Sequence, residues 1–346
     1  MSLWQNLSKP IIGLAPMDGI TDEPMRQITA RYGRPGVIFT EFVNVEYAAA
    51  RPEKIFSRFW YSPNQRPIVA QLSGVDPNLF YQLAFIAAYL GFDGVDINMG
   101  CPAKSITSRG GGARLINDPS LAKKLVLSVK RGLDDWEEGK KITDVVSAKL
   151  AVETRIIQKK NYQLGGQKEP RIRPTISVKT RPGINRPLVK DWLAFLLELP
   201  IEALIVHGRL LSAGHSGPVD WQSLGSAAQI AHQRKKILIG NGGVACLGEG
   251  KTLSQKYHLD GVLIGRAALG NPWVFTDKIP DEKDRFLAMM AHARYFVDLF
   301  GEENFLALRK HLAWYAASFP GARKLRSRLV RTNSLSEVEK IVAGNW

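Results

Sequence analysis

The sequence predicts an α/β protein, a (β/α)8 TIM barrel followed by a small C-terminal helical domain. Three observations predict it. Eight short runs rich in Val and Ile recur along the chain, each closing on polar or glycine-rich residues. Helical spacing fills the intervals between them. After Pro280 the repeat stops and only helical spacing remains.

The runs occupy residues 11–15, 37–40, 67–71, 94–97, 175–179, 203–207, 236–240 and 261–264. Four to six residues of this kind, without 3.6-residue spacing, fit strands buried on both faces. Successive starts lie 25 to 33 residues apart, except for one interval of 81 residues between the fourth and fifth. The shorter intervals hold a strand, a crossover helix and two loops. Helices are expected over 78–89 and 120–130. Eight such units favour closure into a barrel, with an open doubly wound sheet as the competing arrangement. The barrel is assigned residues 1–280 and the helical domain residues 281–346.

The long interval carries a basic insertion near 134–173. From Lys140 to Arg173, nine lysines and arginines face only Asp144, Glu153 and Glu169. It reads either as a basic arm touching RNA or as a solvated insertion. In the tail, Phe286, Met289, Met290, Ala293, Phe296 and Val297 share one helical face. A second helix runs through Phe305, Leu308, Leu312 and Tyr315 and breaks at Phe319-Pro320-Gly321. A third starts near Ala322 and a fourth near Ser334, where Ser334 with Glu337 or Ser336 with Glu339 could form a capping box. Between Arg309 and Arg331 the tail has seven basic residues, including Lys310, Arg323, Lys324 and Arg326, and no acid. That asymmetry favours phosphate contact over a salt-bridged face.

Charge points the same way. The chain has 47 Lys+Arg against 32 Asp+Glu, a net +15, which suits a polyanionic partner better than a neutral one. No apolar run approaches the roughly 18–20 residues that cross a bilayer. The first residues lack a basic-then-apolar signal pattern. Two cysteines, Cys101 and Cys246, are too few for a disulfide framework or a zinc site. A cytoplasmic, metal-free monomer without membrane contact is therefore expected.

A barrel of this kind carries its site at the C-terminal ends of its strands. The seventh and eighth runs are followed by Asn241-Gly242-Gly243 and Gly265-Arg266. Glycine amides beside an arginine fork suit a phosphate at this paired position. Lys179 and His207 end the fifth and sixth runs, and Gln71 ends the third. A lysine at a buried strand end needs an anionic or carbonyl partner, unless its stem lies along the rim with its head in water. His207 reads equally as a core histidine bonded to backbone. The fourth run leads into Asn98-Met99-Gly100-Cys101-Pro102, a tight turn that holds a thiol over the mouth. Without metal partners or a basic activator in its loop, Cys101 suits a general acid better than a nucleophile. Cys246 reads as a small buried hydrophobe.

These segments resemble the tRNA-dihydrouridine synthase family nearly end to end. The matching pieces are residues 15–22 (Ala-Pro-Met-Asp-Gly-Ile-Thr-Asp), 98–104 (Asn-Met-Gly-Cys-Pro-Ala-Lys), 178–181, 207–209, 240–243, 265–273, 309–315 and 320–322. The resemblance implies an FMN-containing barrel in which NADPH is the reductant and tRNA the partner. It implies that Pro16, Met17, Asp18, Gln71 and Lys179 line the flavin, with His207 close by. Asn241, Gly242, Gly243, Gly265 and Arg266 would hold its phosphate. Cys101 would protonate C5 of a flipped uracil that takes hydride at C6, with Asn98 orienting the base. Lys104, Arg309, Lys310, Arg323, Lys324 and Arg326 would meet the tRNA, whose D-loop is the expected target.

Three features depart from the family pattern. These are the length before Lys179, the segment Ser212–Gly217 without its usual glutamine and tyrosine, and Gly243 in place of an aspartate. The competing readings are a dihydroorotate dehydrogenase-like reductase of a free pyrimidine, a non-catalytic RNA-binding barrel, and a flavin-free aldolase-type barrel with Lys179 as Schiff base.

Overall fold

In the computed structural model, residues 3–166, 172–214, 216–317 and 319–344 are described. Eight strands form the barrel: β1 (Ile11–Leu14), β2 (Ile38–Asn44), β3 (Ile68–Ser73), β4 (Gly94–Met99), β5 (Thr175–Thr180), β6 (Ala203–His207), β7 (Ile237–Asn241) and β8 (Gly261–Ile264). All pair in parallel with their sequence neighbours, and β8 closes on β1 through Ile11↔Gly261 to Leu14↔Ile264. Closure excludes the open sheet.

Alternation along each strand divides the barrel's residues between two cores. Ile11, Phe39, Val69, Ile205, Ile239 and Leu263 pack inside, closed at the base by Trp4 from the short helix Leu3–Asn6. Leu14, Ile38, Ala70, Leu72, Ile97, Val178, Leu204 and Val262 pack outward against the helices. The same alternation turns Gln71, Asp96, Asn98, Ser177, Lys179, His207 and Asn241 away from the helical layer. The functional side chains are thus inward residues at the open end of the sheet.

The helices that matter here are α1 (Glu23–Gly33), α2 (Pro77–Tyr89), α3 (Pro119–Glu137), α4 (Ala148–Gln163), α5 (Trp221–Gln233) and α6 (Leu247–Lys256). Asp side chains cap α1, α2, α3 and α5, each accepting from amides two or three residues on, which satisfies part of the open first turn.

The insertion is not a free arm. Between β2 and β3 the chain makes only short helical segments, Val45–Ala50, Pro52–Ile55, Phe56–Phe59 and Pro63–Gln65, and α4 packs across the middle two. Leu150, Ala151 and Ile157 join the main core, and Asn161 Nδ2 donates to the Phe59 carbonyl at 3.1 Å. Part of its charge is met by acids at its own start, Arg173 on Asp134 at 2.9 Å and Lys140 on Asp135 at 2.8 Å. Arg155 and Lys159 face outward. Lys168, Glu169 and Arg171 lie outside the described residues.

The tail forms α7 (Glu282–Phe300), α8 (Arg309–Tyr315), α9 (Ala322–Leu329) and α10 (Leu335–Ala343). Phe286, Met289, Phe296, Phe305, Leu312, Leu325 and Val338 make a separate core, joined by Trp273 from the segment after β8. Ser334 caps α10 by accepting from Glu337 N at 3.3 Å. The Glu337 carboxylate returns to Asn333 N rather than to the cap's own amide. The domain docks on the loop after β1: Lys310 Nζ bonds the Gly19 carbonyl, His311 Nε2 lies 3.5 Å from Asp22 Oδ2, and Tyr295 donates to Glu23 at 3.0 Å. Among the described residues, no helix is long and apolar enough to cross a membrane.

Candidate active site

A cavity of about 940 Å³ opens at the C-terminal ends of the strands, within the usual range for small-molecule sites. Pro16, Met17, Asp18, Gln71, Asn98, Cys101, Lys179, His207, Asn241, Gly242, Gly243, Gly265 and Arg266 all line it. Residues 250 positions apart in sequence thus share one mouth because the sheet closes. Ile20, Phe42, Arg181 and Arg209 also line it. Lys104 does not; it begins the exposed turn Lys104–Thr107 just beyond Cys101.

One side of the cavity is built by β3, β4 and β5. Gln71 Nε2 donates to Asp96 Oδ2 at 2.7 Å, and Asn98 Nδ2 donates to Gln71 Oε1 at 3.0 Å. Asn98 Oδ1 in turn accepts the amides of Gly100 at 3.2 Å and Cys101 at 3.0 Å. The Cys101 carbonyl is held from the other side by Ala113 N at 3.0 Å. Burial pushes the Cys101 thiol up, and the Asp18 carboxylate adds to this, so the group stays protonated at neutral pH. Burial pulls Lys179 down to about 8, opposed by the charge of Asp96. Burial raises Asp96 itself to about 6.

The other side is built by β6, β7 and β8. Gly242 and Gly243 both have positive φ, +121° and +74°. A side chain at Gly242 would put its Cβ 2.7 Å from the His207 ring, so only glycine lets the backbone approach this closely. Asn241 is pinned beneath the turn by donating to the Leu263 carbonyl at 2.9 Å. The Arg209 guanidinium approaches Gly243, and burial together with the neighbouring Arg266 cation pushes Arg209 below its ordinary value. One guanidinium beside a glycine turn, with a second arginine lining the same cavity, suits a phosphate dianion. The residues present therefore fit a phosphate-bearing flavin, with a cradle that a Cβ would fill at one end and amides with a lysine at the other.

Arg181 bridges the two sides. It is buried and donates to the carbonyls of Gly100 at 3.0 Å, Arg209 at 3.2 Å and Leu210 at 3.0 Å. At the β1 edge, Asp18 pairs with Arg58 at 2.7 Å, and Glu41 accepts from Gly19 N at 2.6 Å. Sequence reading passed over Asp96, Arg58, Arg181 and Arg209 as site residues. Arg181 and Arg209 each stand two positions past a strand-end residue that it did select, which was the available signal.

The expectation for Cys246 needs correction, and three basic residues of the tail have partners within the fold. Cys246 is exposed, not a buried hydrophobe, because it caps α6, with its Sγ 3.5 Å from Glu249 N. Arg309 donates to the Thr332 carbonyl at 2.6 Å and to Asn333, and Arg326 donates to the Ala316 carbonyl at 2.9 Å, so both guanidiniums first serve the domain's own fold. Lys310 is committed to Gly19. Arg323 and Lys324 are exposed on α9. His215, within the divergent segment after β6, lies outside the described residues.

The family model of dihydrouridine synthase (Dus) matches residues 13–163 and 173–343. The chain is 28% identical over 352 aligned residues to a probable tRNA-dihydrouridine synthase of Staphylococcus aureus, covering 99% of this chain and 94% of that one. It is 27% identical to probable tRNA-dihydrouridine synthase 2 of Bacillus subtilis, with 99% and 95% covered. Among solved structures, a DHODH of Eimeria tenella in complex with ferulenol has a TM-score of 0.50 at 14% identity, covering 83% of this chain and 82% of that one; that likeness concerns the barrel fold alone. Fold and whole-length family match agree: the chain belongs to the dihydrouridine synthase family, oxidoreductases that reduce uridine in tRNA.

Proposed function

We propose that the cavity binds FMN with its phosphate on the β7–β8 side, and that the enzyme reduces the C5=C6 bond of a D-loop uridine with NADPH as reductant. The observation that carries this reading is the cavity's division into a cationic glycine cradle and an amide–thiol wall that carries Lys179. FMN bound there supplies the hydride taken up at C6 of the uracil.

The chain's own residues supply placement and a proton. Cys101 keeps its proton because burial disfavours the thiolate, and it sits at the rim where an extruded base enters. The S–H bond breaks as a C–H bond forms at C5, leaving a thiolate that solvent reprotonates. Lys179, still largely protonated at neutral pH, offers positive charge where negative charge accumulates on the ring system. Gly242, Gly243 and Arg266, with Arg209, hold the phosphate. Lys104, beyond the Cys101 turn, and the exposed Arg323 and Lys324 of the helical domain contact tRNA phosphates, while Arg309, Lys310 and Arg326 shape that domain's surface.

The test is to purify the protein, record its visible spectrum and incubate it with NADPH and an unmodified tRNA transcript. A yellow protein and a gain of two hydrogens on a D-loop uridine are expected. Turnover of free uracil or orotate without RNA would overturn the reading in favour of a free-pyrimidine reductase, and a colourless protein that binds RNA would remove the enzyme reading.

A further inference from the structure

A column of polar side chains rises through the barrel between β3 and β5, and the proposed mechanism uses only its upper end. Gln71, Asp96 and Ser177 are register partners across three adjacent strands and so share one interior layer. Asn98 and Lys179 are partners one layer nearer the mouth. Asp96 is wholly buried. Its Oδ1 accepts from Ser177 Oγ at 2.6 Å and its Oδ2 from Gln71 Nε2 at 2.7 Å. A buried carboxylate is an expensive way to fill a barrel layer, since an apolar side chain of similar volume is commonly as stable or more so. Stability alone does not account for it.

The hydrogen-bond directions do. An ionised carboxylate can only accept, so the Gln71 amide must turn its NH2 toward Asp96 and its carbonyl toward Asn98. That carbonyl can only accept, so Asn98 must present its NH2 to Gln71. The Asn98 carbonyl is then aimed at the amides of Gly100 and Cys101, at 3.2 and 3.0 Å. One acceptor at the base of the column therefore decides the orientation of two amides and of the turn that carries the thiol. We propose that Asp96 is a positioning residue: through Gln71 and Asn98 it sets the orientation of the Cys101 turn and of the Gln71 amide at the cavity wall. It touches neither substrate nor cofactor. The inference rests on Cys101 acting at this mouth, but its direct readout, the exposure of that thiol, does not require the reaction.

The experiment compares Asp96→Leu, which removes the anchor, with Asp96→Asn, which keeps an acceptor for Gln71 and lets Ser177 rotate to accept from the new amide. Three quantities are measured on the full-length flavin-loaded protein: the rate of Cys101 alkylation by iodoacetamide, with Cys246→Ser as background; kcat and KM for tRNA; and the melting temperature. In Asp96→Leu, alkylation should speed up and kcat should fall, each by about tenfold or more, while KM for tRNA stays within about twofold because docking lies elsewhere. Asp96→Asn should restore most of both. Gln71→Met, which cuts the relay one step higher, should reproduce the faster alkylation even if Asp96→Leu does not fold. Unchanged Cys101 alkylation in a folded Asp96→Leu or in Gln71→Met would overturn the proposal, as would an Asp96→Asn protein no better than Asp96→Leu. Faster alkylation without any loss of dihydrouridine formation in Cys101→Ala would keep the positioning role and remove the proton-donor reading instead.

Discussion

Gly242→Ala probes the cradle at the point where its backbone is least replaceable. The residue has φ +121°, a region that essentially only glycine occupies, and forcing an L-residue there costs about 1–3 kcal/mol. The new Cβ would also lie 2.7 Å from His207 Cδ2 and 2.9 Å from its Nε2. His207 cannot retreat freely, since its Nε2 lies 3.4 Å from Arg209 Nη1, and turning it off its rotamer adds about 0.5–1.5 kcal/mol. The combined cost is roughly 1.5–4.5 kcal/mol, and it has two places to appear. If the turn keeps its shape, the loss falls on folding stability. If the turn relaxes, the cradle must be re-formed on binding and FMN affinity falls about tenfold for each 1.4 kcal/mol. Denaturant titration of the flavin-stripped protein and a fluorescence titration with FMN measure the two shares. Gly243→Ala is the control, because its φ of +74° is an ordinary left-handed value and nothing lies closer than 3.5 Å to its Cβ, leaving a cost of about 1–2 kcal/mol. Gly242→Ala matching Gly243→Ala in both assays would refute the argument that close backbone approach shapes this site.

Cys101→Ala should keep its bound flavin and lose most dihydrouridine formation, as read by mass analysis of the tRNA; unchanged turnover would take the thiol out of the chemistry. Lys179→Met should weaken FMN retention and remove one pH-dependent contribution to the stability of the flavin-stripped protein. The sign follows from burial lowering the lysine from 10.5 to about 8. Below about pH 8 both folded and unfolded chains carry the proton and the folded chain bears the full penalty, which is relieved as pH rises from about 8 towards 10.5. Wild type should therefore gain stability relative to the variant over that window, and a relative loss would contradict it. Neutralising Arg323 and Lys324 together should weaken tRNA binding and make its log–log salt slope shallower by roughly 1.4–1.8, the value for two phosphate contacts. An unaltered slope would remove α9 from the interface.

The barrel was legible because parallel strands buried on both faces announce themselves as apolar runs, and their spacing reported the connecting helices. The cavity residues at strand ends followed from one rule of barrel geometry, which put Lys179, His207 and Asn241 at one mouth although each is unremarkable alone. Asp96 was legible in principle, two positions before Asn98 on the inward face of β4, yet it sat inside an apolar run where a single acid is easily read past. The fate of α4 was not legible. Nothing in its own residues says that the β2–β3 connection lacks a long helix and leaves a groove for Leu150 and Ile157 to fill. Charge counting misled for a related reason: Arg173 and Lys140 find their acids in the last turns of α3, at the start of the insertion, which a count begun at Lys140 leaves out. Cys246 failed because a thiol that caps a helix looks, in sequence, like any small hydrophobe.

Under the proposed function, the site's two walls answer different demands, and their chemistry could not be exchanged. Holding a phosphate needs donors and positive charge with little shape beyond close approach, which glycine amides and arginines on the long β6–β8 loops provide. Delivering a proton to a neutral ring needs the opposite: a group kept uncharged by burial and fixed in direction by its neighbours. Placing that group on β4 lets the rigid strand layer beneath it, through Asn98, Gln71 and Asp96, supply the direction that a loop alone could not. The buried Arg181, bonded to the Gly100 carbonyl and to those of Arg209 and Leu210, then ties the thiol turn to the cradle's own loop. Displacement of either wall is resisted by the other, so damage to the cradle should reach the thiol even when no residue near Cys101 has changed.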